Sequence, residues 1–225
     1  MQKVDPRGFR TGIVKGWISE YFASTKKISA EYMVQDLKIR NYIDNFYKYS
    51  GISKVVFRKS ANLEKVKNDI LIFTAKPLVL KEVKLEKFKQ SLKKQFKEEF
   101  EITVKETNPE LSAKIISEHM SSQLEKRMPY RRVIKSAMEN VMGKAQIKVT
   151  IGGRLNGAEM ARSETFKERI PLQTLRADVD YHYIPSITKY GILGLKVWIY
   201  KDIEENVSKK KEVNKKKEEK IEKSK

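Results

Sequence analysis

The 225-residue sequence predicts an α/β (α+β) protein in two units: a small α/β module, then two helices backing a four-stranded antiparallel sheet. Three observations predict it. Patterned segments before residue 108 run in the order helix, strand, strand, helix, strand. Asn108-Pro109-Glu110 then combines an N-cap residue, a proline at the first helical position and an acid in the first turn. After Gly143 the apolar period switches from helical to two.

The elements follow in chain order. Residues 1–27 carry Gly8, Gly12 and Gly16 without a helical stripe and read as an extended arm. Residues 28–107 form the first module. A helix over Ser29–Tyr49 rests on Tyr32, Met33, Leu37, Ile39, Tyr42, Ile43 and Phe46, with Gly51 as its stop signal. Ile52–Arg58 and Asp69–Thr74 are β-rich runs, Val83–Phe100 is a basic helix, and Glu101–Val104 alternates. Residues 108–202 form the second unit. Its first helix runs to about Arg127, Pro129 punctuates, and the next helix carries a Val133/Ala137/Val141 stripe closed by Gly143. Four strands follow, at Ile147–Ile151, Met160–Arg169, Leu175–Tyr183 and Leu193–Ile199. The Lys/Glu run over 203–225 has no aromatic residue and only four scattered branched ones, Ile203, Val207, Val213 and Ile221, and is expected to be disordered.

Composition narrows function. There are no cysteines and two histidines, His119 and His182, which excludes disulfides, thiolate chemistry and Cys-based metal sites. No metal or cofactor is expected. No run approaches the ~18 apolar residues of a membrane span, and Met1–Arg10 lacks a signal-peptide pattern, so an intracellular soluble protein is expected. Lys and Arg number 48 against 29 acids, a net +19. The segment Glu204–Lys225, with nine Lys and six Glu, contributes only +3, so +16 belongs to the body. A folded body this basic repels itself until a polyanion neutralises it. Nucleic acid is the leading partner and an anionic membrane surface the second, although no aromatic-rich amphipathic helix supports a membrane. Seven of the eleven arginines fall between Arg127 and Arg176, and arginine forks onto phosphate oxygens.

On a helical wheel Arg131, Arg132 and Lys135 fill one arc opposite the apolar stripe. Glu139, four residues after Lys135, is the sole acid at ion-pairing spacing, so the arc favours an external anion over a merely solvated face. Gly152-Gly153-Arg154-Leu155-Asn156-Gly157 follows a strand and reads as a hairpin or bulge loop, or as a loop that approaches phosphates closely. Asp178 and Asp180 share a strand face with Arg176 and His182. That pair could serve a magnesium-dependent nucleic-acid hydrolase, but the surrounding cations favour structural ion pairs. No nucleophile–base–orienter set is present, so no enzyme is expected.

Several blocks resemble the bacterial-type small-subunit ribosomal protein S-three family. Gln2-Lys3-Val4-Asp5-Pro6, Arg10 and Gly12-Ile13-Val14-Lys15 are similar to its opening arm. NPELSAKIISEHMSSQLEKRMPYRR (Asn108–Arg132), GGRLNGAEMARSETFKERIPLQTLRADVDY (Gly152–Tyr181) and KYGILGLKVWIYK (Lys189–Lys201) are similar to its C-terminal half, the Gly152 block most specifically. The resemblance implies a type II KH-like first module and a second domain unique to the family. It implies a structural place in the head of the small ribosomal subunit, in the bacterial cytoplasm or an organelle. Small-subunit ribosomal RNA (rRNA) would be the first partner, with Lys3, Arg10, Lys15, Arg127, Arg154, Arg162, Lys167, Arg169 and Arg176 as expected contacts. Messenger RNA (mRNA) would be the second, with Arg131, Arg132 and Lys135 lining the channel it enters and aiding its unwinding. Neighbouring ribosomal proteins S-ten and S-fourteen in the head, and S-four and S-five at the channel, would be protein partners. Two departures qualify this. Pro77–Leu85 reads PLVLKEVKL, with no glycine where the family's GxxG loop would clamp RNA, so the module is expected to act as a scaffold. Asp5 stands where a histidine is common, and the glycine after Met1 is missing, which alters contacts there.

Overall fold

The computed structural model describes residues 4–47, 51–61, 66–77, 82–96, 98 and 100–201. Lys3, the 203–225 run and residues 78–81 of the glycine-free stretch lie outside the described residues.

In the N-terminal half, strand β1 (Ser19–Tyr21) precedes helix α1 (Lys26–Phe46), strands β2 (Ile52–Ala61) and β3 (Val66–Thr74), helix α2 (Glu82–Phe96) and strand β4 (Phe100–Glu106). The sheet order is β1-β2-β3-β4, with β1 parallel to β2, β2 antiparallel to β3, and β3 parallel to β4. Helix α1 begins earlier than its apolar stripe predicts because the Thr25 hydroxyl accepts the Ile28 N–H at 3.4 Å. Ile39 and Ile43 of α1 and Phe88 and Leu92 of α2 are fully buried with Phe57, Ile70 and Ile72 of the sheet.

The C-terminal half has its own core. Helices α3 (Ala113–Glu125) and α4 (Tyr130–Val141) precede strands β5 (Gln146–Gly153), β6 (Arg162–Lys167), β7 (Asp178–Thr188) and β8 (Gly191–Lys201). These strands form the expected antiparallel sheet, in the order β6-β5-β8-β7. Ile147, Val149 and Ile151 of β5 and Leu193, Leu195, Val197 and Ile199 of β8 alternate inward. They meet Met120 and Leu124 of α3 and Val133, Ile134, Ala137 and Val141 of α4. Pro185 is tolerated because β7 is an edge strand.

Two expectations are corrected. Asn108-Pro109-Glu110 opens only a 3-10 turn at Pro109–Leu111, and the Asn108 side chain caps nothing. The helix proper starts after Ser112, whose backbone is extended, and its first N–H, that of Ala113, is received by Asp180 Oδ2 at 3.0 Å. A carboxylate from a distant strand supplies the cap that the local residues were expected to supply.

The second concerns residues 4–27 of the expected extended arm, which are not extended throughout. They carry a 3-10 turn at Gly8–Arg10 and strand β1, and they strap the two halves together. Arg10, expected at RNA, is 1% exposed. Its Nε donates to Ala177 O at 2.8 Å and its Nη1 to Pro6 O at 2.9 Å. Its Nη2 donates to Leu172 O and Thr174 O at 3.0 and 2.9 Å. At the other end, Arg40 of α1 donates to Val55 O at 2.7 Å and Ile18 O at 3.1 Å and pairs with Asp36 at 2.9 Å. Asp36 also receives the Ser19 hydroxyl, which fixes β1 against the sheet.

Arg10→Met would strand four carbonyls and is expected to cost about 3 kcal/mol or more, with early proteolytic cleavage in the arm. Urea unfolding and limited trypsinolysis of variant and parent measure both.

Candidate nucleic-acid interface

Helix α4 is built for two environments. Tyr130, Val133, Ile134, Ala137 and Val141 are buried, while Arg131, Arg132 and Lys135 are exposed on the other side. The helix begins after Pro129, so both arginines lie in its first turn. Cations there oppose the partial positive charge of the helix N-terminus, a cost a structural role would not explain. The Arg132 and Val133 N–H groups already donate to Pro129 O at 3.0 and 3.2 Å, so the exposed side-chain cations are what an approaching anion meets.

The arc is not entirely unneutralised. Tyr130 donates its hydroxyl to Glu164 Oε1 at 2.8 Å, and Arg131 Nε donates to that Tyr130 oxygen at 3.1 Å. Arg131 Nη2 stands 3.6 Å from Glu164. Its pKa is raised above the ordinary value, first by the Tyr130 hydrogen bond and then by nearby charge. Spacing along the helix could not reveal Glu164, which arrives from β6 on the neighbouring sheet. Lys135 meets Glu139 at 3.9 Å across an exposed surface, a weak contact. Arg132 has no acidic partner among the described residues.

The other expected cations divide. Arg162 and Lys167 are exposed at the two ends of edge strand β6, and Arg127 is exposed in the α3–α4 turn. Arg169 and Arg176 are exposed in the loop whose carbonyls Arg10 holds. Arg154 is exposed but folds its own loop, with Nε donating to Ala158 O at 2.9 Å. Lys15 pairs with Asp178, so its charge is already engaged. The structure therefore groups Arg131, Arg132 and Lys135 and leaves the rest dispersed.

The glycine loop after β5 has a packing explanation. Gly153 has φ +135°, and an added Cβ would lie 2.7 Å from Leu193 Cδ2 and 2.9 Å from Ile192 O. Gly157 has φ +78° and lies against the Tyr190 ring.

Asp178 and Asp180 are also spoken for, the first by Lys15 and the second by the start of α3. Arg176, expected on their face, precedes β7. Among the described residues no three His, Asp or Glu side chains gather to hold a metal, and no helix is long and apolar enough to cross a membrane. His182 lies on the face toward α3, its Nδ1 2.6 Å from the Ser117 hydroxyl. Its pKa is pushed down to about 4, chiefly by burial and then by the Lys114 and Arg7 charges.

A histidine held neutral makes the unfolded chain the better proton acceptor between the ordinary value and about 4. Stability is therefore expected to fall as pH drops through that window, and to fall less in His182→Gln, as thermal unfolding against pH will show. Glu164→Gln releases Arg131 and is expected to raise affinity for single-stranded RNA about twofold at low salt, read by fluorescence anisotropy.

Residues 120–199 match the family model described as ribosomal protein S3, C-terminal domain. The small ribosomal subunit protein uS3 of Vesicomyosocius okutanii is 42% identical over 207 residues, covering 89% of this chain and 88% of its own. That of Persephonella marina is 41% identical over 228 residues, covering 98% of both chains. That of Pelagibacter ubique is 38% identical over 207 residues, covering 89% of each. With identity near 40% across almost the whole length, the chain belongs to the bacterial-type uS3 family of small ribosomal subunit proteins.

Proposed function

We propose that this chain is a structural, non-enzymatic constituent of the small ribosomal subunit, binding rRNA and presenting the α4 arc to mRNA as it enters. The relatives' names support the ribosomal assignment. One observation carries the messenger role: Arg131, Arg132 and Lys135 project together from a helix whose opposite side is locked into the core. Holding a strand by charge needs no reacting group, and rigid cations can retain single strands as a hairpin opens. Arg127, Arg162, Lys167, Arg169 and Arg176 are the remaining exposed cations we assign to rRNA, with Arg154 and Lys15 in secondary, shared roles. Lys3 stays in that rRNA set on the resemblance of the opening arm. We read the α1-β2-β3-α2-β4 order as the type II KH-like scaffold, and ribosomal proteins S-ten, S-fourteen, S-four and S-five as neighbours, on the same resemblance. Nothing favours the hydrolase, since both of its carboxylates have internal partners.

Replacing Arg131, Arg132 and Lys135 together by Ala is expected to leave subunit assembly intact and slow translocation through messenger hairpins. The slope of log affinity against log salt for single-stranded RNA should become shallower by about 2. Unchanged hairpin passage on reconstituted ribosomes would refute the messenger role.

A further inference from the structure

Helices α3 and α4 cover one face of the C-terminal sheet, and no helix among the described residues covers the other. Two cross-strand rows run over that open face. Lys167, Lys148, Trp198 and Tyr181 stand abreast from β6 to β7, and Thr165, Thr150, Lys196 and Tyr183 form the next row. Paired residues share a face, so these rows are contiguous surfaces. Neither contains an acid.

The rings are arranged as a platform. Lys148 Nζ lies 5.0 Å from the centroid of Trp198, and the Tyr181 ring lies 5.2 Å from Trp198 at a 41° tilt. Tyr183 is 49% exposed. The Tyr183 ring lies over Gly194, where a Cβ would stand in ordinary contact with its Cε2 at 3.4 Å. The arm bounds the platform on one side, where the Arg7 guanidinium lies 6.0 Å from the Tyr181 ring and pairs with Asp5 at 2.7 Å.

We propose that this open face binds unpaired RNA nucleotides, with bases stacking on Tyr183 and Trp198 and phosphates held by Lys148, Lys167 and Lys196. The charge is complementary to a polyanion, and the rings select among polyanions. Bases in a duplex are stacked on one another and cannot reach a flat sheet, whereas splayed bases offer π-faces to aromatic side chains. An acidic protein surface would satisfy the lysines but supply no such partner for the rings. The inference rests on the reading of this chain as an RNA-binding subunit protein, yet it uses the side of the sheet opposite α4 and none of the arc residues.

The full chain carrying Trp17→Phe leaves Trp198 as the sole tryptophan of the two present. It is titrated with a fluorescein-labelled, unstructured oligouridine of about ten nucleotides, a length within single-strand site sizes. RNA is expected to quench Trp198 emission saturably. Tyr183→Ala and Lys196→Ala should each weaken binding about five- to tenfold, while the triple Ala variant of the α4 arc keeps the quench. Lys196 is exposed, so its variant remains informative if Tyr183→Ala fails to fold. Saturable anisotropy without quenching, or undiminished affinity in both face variants, overturns the proposal. If that binding then depends on the arc, the messenger reading survives alone, and absence of binding by every variant overturns both. Face variants that bind RNA normally but drop out of assembled subunits would assign the face to a protein neighbour, and the proposal falls.

Discussion

The buried guanidinium of Arg10 is the constraint around which the two halves are organised. Four carbonyl acceptors satisfy it, three of them in the 172–177 segment and one in the arm itself. A charge taken out of water is tolerable only when its donors are occupied, so the arm and the segment can exist in this form only together. The same strap then runs to β1, where Arg40 and Asp36 hold it to the other sheet. Direct contacts between the halves reinforce the strap. Lys114 of α3 reaches Asp44 of α1 at 3.0 Å, and the hydroxyls of Ser53 and Ser112 meet at 2.7 Å.

Arginine therefore has two opposite uses in this chain. Arg10 and Arg40 turn inward and saturate carbonyls and carboxylates, whereas Arg131 and Arg132 stand outward at a helix start where the dipole opposes them. Only the second use leaves charge available for a polyanion. The two are linked through the chain itself, because the segment that Arg10 immobilises also presents Arg169 and Arg176. An inward arginine orders a loop, and the loop's outward arginines then meet their partner with less entropy left to lose.

Most of the C-terminal half was legible because one rule governs it. Residues alternating along β5 and β8 had to face either core or solvent, and the Val133/Ala137/Val141 stripe could bury only one way. What escaped the sequence was the polar side-chain pairing between residues distant in the chain. Glu164 comes to Arg131 through sheet packing, and Asp180 comes to Ala113 from 67 residues away. Arg10 looked like the other basic residues of the arm, since nothing in a linear pattern distinguishes an arginine aimed at phosphate from one aimed at carbonyls. Helix starts were misplaced for a related reason. Asn108-Pro109-Glu110 carries the right local chemistry, but the fixed start of α3 is where a tertiary carboxylate receives an N–H.

The alternation that revealed the sheet also conceals its second surface. Reading β8 for its core picks out Leu193, Leu195, Val197 and Ile199 and treats the residues between them as solvent-facing remainder. Those residues include Lys196 and Trp198, and their cross-strand neighbours add Lys148, Tyr181 and Tyr183. A tryptophan and two tyrosines kept on the open side of a sheet, with lysines and no acid in their rows, are poorly explained by solubility, which charge alone would secure. With the basic helix on one side and the aromatic rows on the other, the domain can be contacted on both faces while its core stays closed. Rigidity makes that arrangement useful, because strands held on opposite faces of a packed sheet keep a fixed separation that loops would not maintain.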